Sequence, residues 1–446
     1  MLPISLPAQI LTLLGECGPG GSLTARNLQV ATGKSQSSVS LALASLGEQI
    51  CRMGAARSTR YAATKDILGL AAKQHLFFTN ANADITPFGQ LTHLHDGSVF
   101  VETLVGDKSW RSAPNKLPWF LRPLQPQGFL GRQYKLLRPD FPDDPDTWTA
   151  AQTLYLAINH ITHPPGAVSI GANTQYAGLG APFDLPARRQ YYDAAAGNIG
   201  KTLPAHSSAG GEQPKFLVEI NGDDASCQHF IVKFSPPHDT PFGQRWRALL
   251  QLEKLALDTL NEEGIATAKT SIVESQMRTY LESQRFDRIG IYGRRHVVSV
   301  DALHDEFVGG SRQHWIHTCE QLAAKKMLSL QTLKQVAQLY AFGQFIGNTD
   351  MHFGNLAFFI DEIATPKPIL TPVYDMLPMM WRPSIHDGTF DVTPIRQQPV
   401  VPGYTHEYAD ARAWAMMFWQ KAATLSVLDG GMREACVVSG ARLQGA

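Results

Sequence analysis

Asp350 and Asn355 stand five residues apart in the run Gly347-Asn348-Thr349-Asp350-Met351-His352-Phe353-Gly354-Asn355, and Asp375 follows about twenty residues further on. A carboxylate can orient a hydroxyl and take its proton, while an amide oxygen and a second carboxylate are the hard donors that Mg²⁺ prefers. Together they suit phosphoryl transfer, with Asp350 as base and Asn355 and Asp375 as metal ligands. Taken singly, either Asp could instead cap a turn. His352 with one Asp and one Asn is a poor transition-metal set, so a loop-bracing role is expected for it.

The surrounding pattern supplies elements to hold these groups. Residues 333–346 read as a helix, with Val336, Leu339, Tyr340 and Gly343 on one face, that delivers the loop. Residues 356–360 and 369–374 read as a short hairpin that brings Asn355 and Asp375 together. Upstream, Ser208, Gly210, Gly211 and Gln213 lead to Lys215 and an apolar strand over 216–220. Small residues let backbone N–H groups approach phosphate, and Lys215 adds a point charge. The same stretch also reads as an ordinary turn, and it is no Walker A motif, which needs Gly-Lys-Ser/Thr opening a helix. Lys233 interrupts the apolar strand 230–234, so it either snorkels to solvent or meets an anion. Glu253, inside the helix 246–257, could brace it or form a surface pair. Gln284, Arg285 and Phe286 lie at the approach to a helical lobe, where an adenine hinge would fall. Protein kinases share the D-x-x-x-x-N spacing, the later Asp, the strand Lys and the helix Glu.

At 446 residues, 44% hydrophobic and 17% charged, the chain is expected to form two or three globular domains. A net charge of zero gives no global case for nucleic acid or membrane, so any such case is local. Cys17, Cys51, Cys227, Cys319 and Cys436 are scattered without a C-x-x-C pair, which argues against a disulfide framework and a zinc site. Without a basic leader or a membrane-length apolar run, a cytoplasmic setting is expected.

One local case lies at residues 7–66. An amphipathic helix ends near Gly18, a second runs over roughly 24–32 to Gly33, and a third opens at Ser35-Gln36-Ser37-Ser38, with Val39, Leu41, Leu43 and Leu46 as its apolar residues. Strands over 50–53 and 59–62 follow, in the order of a winged helix-turn-helix. Ser35, Gln36, Ser37 and Ser38 would enter the DNA groove, and Arg52, Arg57 and Arg60 would meet phosphate from the wing. Six basic residues face three acidic ones in this segment. Docking or dimerisation through the same module stays open.

Ser208-x-x-Gly211-x-Gln213-x-Lys215, Ile231-Val232-Lys233, the run Gln284 to Arg288, Asn348-x-Asp350-x-His352-x-x-Asn355 and Tyr374-Asp375 resemble the HipA-like serine/threonine kinase toxins of bacterial toxin–antitoxin systems. The resemblance covers roughly residues 75–435 and includes Leu117-Pro118-x-Phe120-Leu121. It implies a two-lobed kinase-like fold whose C-terminal lobe is mainly helical. The winged helix-turn-helix read above is a departure from that family, whose toxins rely on a separate DNA-binding antitoxin, and the two together give a multidomain α+β chain. Expected divisions are 1–70, 71–200, 201–288 and 289–446. It also implies ATP and Mg²⁺ as cofactors, Lys233 on the nucleotide phosphates and autophosphorylation at Ser208. Protein Ser/Thr substrates, with aminoacyl-tRNA synthetases the best known, and an antitoxin partner follow from the same resemblance. The alternative is a DNA-binding regulator whose kinase fold only senses nucleotide.

Overall fold

The computed structural model describes residues 4–104, 107–161, 163–171, 180–181, 183–202, 213–221, 227–383, 392–396 and 399–444. It divides into two compact units. One comprises Met1–Gln127 and Gly131–Tyr176; the other comprises Gly128–Leu130 and Ala177–Ala446.

The first unit begins with helices Leu6–Gly15, Ala25–Thr32 and Gln36–Leu46. Ser5, Thr24 and Ser35 each accept a hydrogen bond from the first turn of the helix they precede, which satisfies an otherwise orphaned N–H. Gly33 ends the second helix at φ +66°, a left-handed conformation that costs glycine nothing. Strands β1 (Ile50–Met53) and β2 (Arg60–Ala63) then form an antiparallel hairpin. Ile10, Leu14, Leu28, Val39, Leu43 and Leu46 share one small core. Leu41 does not join them and is 73% exposed. Positions 39, 43 and 46 follow the helical repeat, whereas 41 lies two residues off that stripe and turns to the opposite face.

The hairpin packs against a separate, five-stranded antiparallel sheet of β3 (Lys73–Thr79), β4 (Ile85–His93), β5 (Val99–Thr103), β6 (Ser109–Arg111) and β7 (Val168–Ile170), in the order β6-β5-β4-β3-β7. Cys51, Met53 and Ala62 from the hairpin pack with Leu94 and Phe100 from the sheet. A polar latch lies beside this contact. Arg111 donates to the carbonyls of Gly20 and Gly21 (both 3.1 Å) and to Asp96 (3.0 Å), which in turn accepts from the Gly20 N–H at 2.7 Å.

In the second unit, β8 (Gly180–Ala181), β9 (Lys215–Asn221), β10 (Cys227–Phe234), β11 (Thr270–Glu274) and β12 (Thr279–Gln284) form a sheet in the order β11-β12-β10-β9-β8. The helix Leu185–Thr202 places Tyr192 and Ala196 in one core with Phe216, Val218, Phe234 and Tyr280. Residues 180–200 therefore belong with this sheet and not with the preceding unit, because the apolar face of that helix has its partner here. The 22-residue helix Pro241–Glu262 starts with Thr240 as its cap. Gly243 in its first turn has no alternative, since a Cβ there would lie 1.8 Å from the Pro237 carbonyl oxygen.

Helices Trp315–Ala324, Leu330–Phe345, Thr405–Ala422 and Gly430–Gln444 are the long elements of the remainder. Val336, Leu339 and Gly343 are buried on the helix Leu330–Phe345, and Tyr340 is half-buried. The segments Ala357–Phe359 and Ile369–Leu370 pair antiparallel. All five cysteines are free thiols. Among the described residues, no helix is long and apolar enough to cross a membrane.

Asp96 gives the latch a pH dependence. Burial opposes its ionisation, but hydrogen bonds from Ser98 and Gly20 and the Arg111 charge outweigh burial and hold its pKa below the usual carboxylate value. Its contribution is therefore complete above the unfolded pKa of about 4 and is lost as pH falls through the lower folded value. Hydrogen exchange at the Gly20 amide should show a local opening free energy that shrinks between about pH 5 and pH 2. Asp96→Asn should lower that free energy at pH 7 and flatten its pH dependence; an unchanged profile would remove Asp96 from the latch.

Candidate active site

Strand alternation explains how a charge enters the core of the second unit. On β10, Val232 and Phe234 point to the face covered by the helix Leu185–Thr202, which leaves Lys233 on the face towards the helix Pro241–Glu262. Lys233 is nevertheless only 6% exposed. Its Nζ donates to Glu253 Oε1 and Oε2 at 2.6 and 2.8 Å and also to Asp375 Oδ1. Glu253 is buried on the helix Pro241–Glu262, so strand, helix and the 375 segment meet at one ammonium.

Burial works against charge at both Lys233 and Asp375, and their mutual attraction reverses it. Asp375 and Glu253 hold the Lys233 pKa above its ordinary value. Lys233 and Lys215 hold Asp375 down at about 2. Lys215 is half-buried and pairs across the sheet with Lys233, adding a second positive charge on the same edge.

The loop from 347 to 356 is braced from several sides. Asn348, 4% exposed, accepts from the Asp350 N–H at 3.0 Å and donates to the Asp375 carbonyl at 3.3 Å. Asn355 Nδ2 donates to the Asp350 carbonyl at 2.8 Å, which leaves its Oδ1 as the side-chain atom able to receive a cation. Tyr374 donates its hydroxyl to the Gly354 carbonyl at 2.8 Å. His352 is exposed, and its Nδ1 accepts from the Gly354 N–H at 3.0 Å while its carbonyl accepts from Trp315 at 3.1 Å. Asp375 itself adopts φ +55°. Left-handed backbone outside glycine is uncommon and concentrates at functional sites.

The structure thus brings Lys215, Lys233, Glu253, Asp350, Asn355 and Asp375 into one connected region. Other expected contacts are directed elsewhere. Gln213 donates its amide to the Phe234 carbonyl, tying the segment before β9 to β10. Arg285 is 8% exposed and grips Asp287 through two hydrogen bonds of 2.9 and 2.8 Å, so its guanidinium is committed within the chain. Phe286 packs against Phe359 and Tyr374, each 5.7 Å between ring centroids. Gln284 is half-buried at the end of β12, its backbone N–H bonded to the Lys269 carbonyl. Ser208, Gly210 and Gly211 lie outside the described residues.

Asn348 and Tyr374 were absent from the sequence-derived site although they lock the two metal-ligand candidates together. Their positions inside Asn-x-Asp and Tyr-Asp were the available signal.

In the first unit, Gln36, Ser37, Arg52 and Arg57 are exposed. Ser35 serves as the cap of its helix, and Ser38 lies 2.9 Å from the Ser35 hydroxyl. Arg60 is exposed as well, and its guanidinium donates to the Ser22 hydroxyl at 2.7 Å and the Ser22 carbonyl at 2.5 Å. It braces the hairpin, which the count of arginines could not reveal.

A mixed α/β chain with this lysine–carboxylate centre is a HipA-type architecture, and the chain belongs to the HipA-like toxin family. Residues 207–424 match the model of the HipA-like C-terminal domain, and residues 70–177 match that of the YjjJ-like toxin, middle domain. Toxin YjjJ of Escherichia coli (strain K12) is 34% identical over 360 residues, covering 76% of each chain. Among solved structures, a chain of the toxin–antitoxin complex of HipA, HipB and operator DNA from Shewanella oneidensis MR-1 shares the fold. That match has a TM-score of 0.52 at 14% identity and covers 83% of this chain and 96% of the other.

Removing one partner from a buried charge group leaves the others uncompensated. Lys233→Met should therefore destabilise the second unit by about 3–5 kcal/mol, with part recovered when Glu253→Gln is added. Urea unfolding followed by tryptophan fluorescence measures this. A loss below about 1 kcal/mol would mean that the charges are solvated like a surface pair.

Proposed function

We propose that the chain is a Ser/Thr protein kinase that uses ATP and Mg²⁺ and restrains growth, attached to a DNA-binding winged helix. The observation that carries the kinase assignment is the ammonium of Lys233 held between Glu253 and Asp375, beside a loop braced through Asn348. Lys233 and Lys215 would take the nucleotide phosphates, and Asn355 Oδ1 and the Asp375 carboxylate would hold Mg²⁺. Hard oxygen donors fit that ion. When bound, Mg²⁺ neutralises charge on the phosphates. Asp350 would orient the substrate hydroxyl and accept its proton as that oxygen attacks the γ-phosphorus, whose bond to the β–γ bridging oxygen breaks as ADP leaves. Ser208 is the proposed site of autophosphorylation, and an aminoacyl-tRNA synthetase is the first external substrate to test.

The DNA assignment is supported by the three helices and hairpin in winged-helix order, with Gln36, Ser37, Arg52 and Arg57 exposed. The structural relative was solved with HipB and operator DNA, which motivates an antitoxin and an operator as partners here.

Incubation of the full chain with γ-labelled ATP and Mg²⁺ should place label on Ser208, and Asp350→Asn should slow transfer by about 10²–10⁴-fold. Nucleotide binding without any transfer to Ser208 or to a synthetase panel would overturn the kinase assignment in favour of a nucleotide-sensing regulator. For DNA, fluorescence anisotropy should give affinity that falls with salt, and Arg57→Ala should reduce the log–log slope by about 1. A slope unchanged in both Arg52→Ala and Arg57→Ala would sink the wing assignment.

A further inference from the structure

The start of β10 carries a second cluster of reactive side chains that the proposed phosphoryl transfer does not use. Cys227 Sγ lies 3.7 Å from His229 Nε2, and the Gly290 carbonyl oxygen lies 3.0 Å from the same nitrogen. On the opposite edge of the ring, Glu219 Oε1 lies 3.1 Å from Nδ1. The register of β9 against β10 sets Glu219 directly opposite His229, and strand alternation puts Cys227 on the same face as His229. Cys227 and His229 are buried, at 7% and 5% exposure.

Glu219 faces Nδ1, while Nε2 donates to the Gly290 oxygen when it carries a proton and turns a lone pair towards that oxygen and the Cys227 sulfur when it does not. Once the Nε2 proton has left, two acceptors face one another, and a cation between them replaces the proton. The adjacent thiol makes the converging set one sulfur, one nitrogen and one oxygen, which suits a borderline-soft ion. Donors held at zinc distances in a tetrahedron stand about 3.3–3.6 Å apart, so the sulfur and nitrogen, 3.7 Å apart, are nearly in place and the Gly290 oxygen, 3.0 Å from the nitrogen, has to move back by a few tenths of an ångström. A carboxylate on the far nitrogen is also the usual partner of a metal-bound histidine, fixing its tautomer and ring plane.

We propose that Cys227 Sγ, His229 Nε2 and the Gly290 carbonyl oxygen form a site for a zinc-class divalent cation, with Glu219 orienting the imidazole from behind. Binding forms metal–sulfur and metal–nitrogen bonds and releases the thiol proton to solvent, with no change of oxidation state. The donors come from two positions on one strand and a distant turn, so no C-x-x-C spacing announces them. The His229 carbonyl also accepts the Arg285 N–H at 2.8 Å. An ion here would therefore pin the segment 285–290 to the sheet.

Co²⁺ titrated into the metal-free full chain should produce an intense sulfur-to-cobalt charge-transfer absorption that saturates at one equivalent and is displaced by Zn²⁺. Cys227→Ser, checked for folding by circular dichroism, should lose the band, and Glu219→Gln should weaken binding by about 10–100-fold. Zn²⁺ should also slow alkylation of Cys227, mapped by mass spectrometry, in the wild type but not in His229→Gln. This second readout decides the matter if Cys227→Ser does not fold. The proposal fails if the wild type gives no band, if the band survives in Cys227→Ser, or if Zn²⁺ leaves Cys227 alkylation unchanged. A thiol proton shared between Cys227 and His229 without metal gives the first of these results. Neither readout involves phosphoryl transfer, so failure here leaves the kinase assignment standing.

Discussion

A single ammonium, that of Lys233, stabilises two carboxylates that come from parts of the chain 122 residues apart, Glu253 and Asp375. An ion removed from water without partners costs several kcal/mol, so each element that carries one of these charges is held to the others by the penalty of leaving. The helix Pro241–Glu262 has to dock on β10 with Glu253 inward, and the 375 segment has to approach the sheet edge. Asn348 then transmits that placement to the loop through the Asp375 carbonyl. Hydrophobic packing around Tyr192, Phe216 and Phe234 stabilises the sheet, but it does not dictate which strand edge the loop meets. The charge centre does.

The first unit depends on a different kind of tie. Arg111 and Asp96 join the glycine turn after the first helix to the five-stranded sheet, while Cys51, Met53 and Phe100 seal the hairpin against it. The three-helix module is therefore one body with that sheet, not a bead on a flexible linker. Any partner that grips the exposed Gln36–Ser37 face takes hold of the whole unit.

The charge cluster of the site was legible in the sequence because charged residues inside apolar runs are costly and few. Lys233 within Phe230–Phe234 had to meet an anion or escape to water, and the structure supplies two anions. What stayed hidden depended on long-range geometry. Arg60 has a partner in Ser22, far off in sequence, that no count of arginines announces. Arg285 found Asp287, and Gln213 found a backbone carbonyl, because local satisfaction of a polar group costs less than holding it ready for a ligand. Leu41 stays outside the core for a simpler reason: a count of apolar residues ignores the helical angle at which each one points. The helix Leu185–Thr202 escaped its proper place because a moderately amphipathic helix does not say which sheet it will cover.

The left-handed backbone at Asp375 has an evolutionary consequence. Asp, Asn and Gly tolerate that conformation, whereas Ala or any β-branched residue has to strain the turn or rebuild it. A lineage that abandoned the carboxylate while keeping the architecture would find Asn or Gly the accessible replacements at 375. A relative with Asn there would thus be a descendant that kept its shape after giving up its charge, and a relative with Ala would already have remodelled the segment.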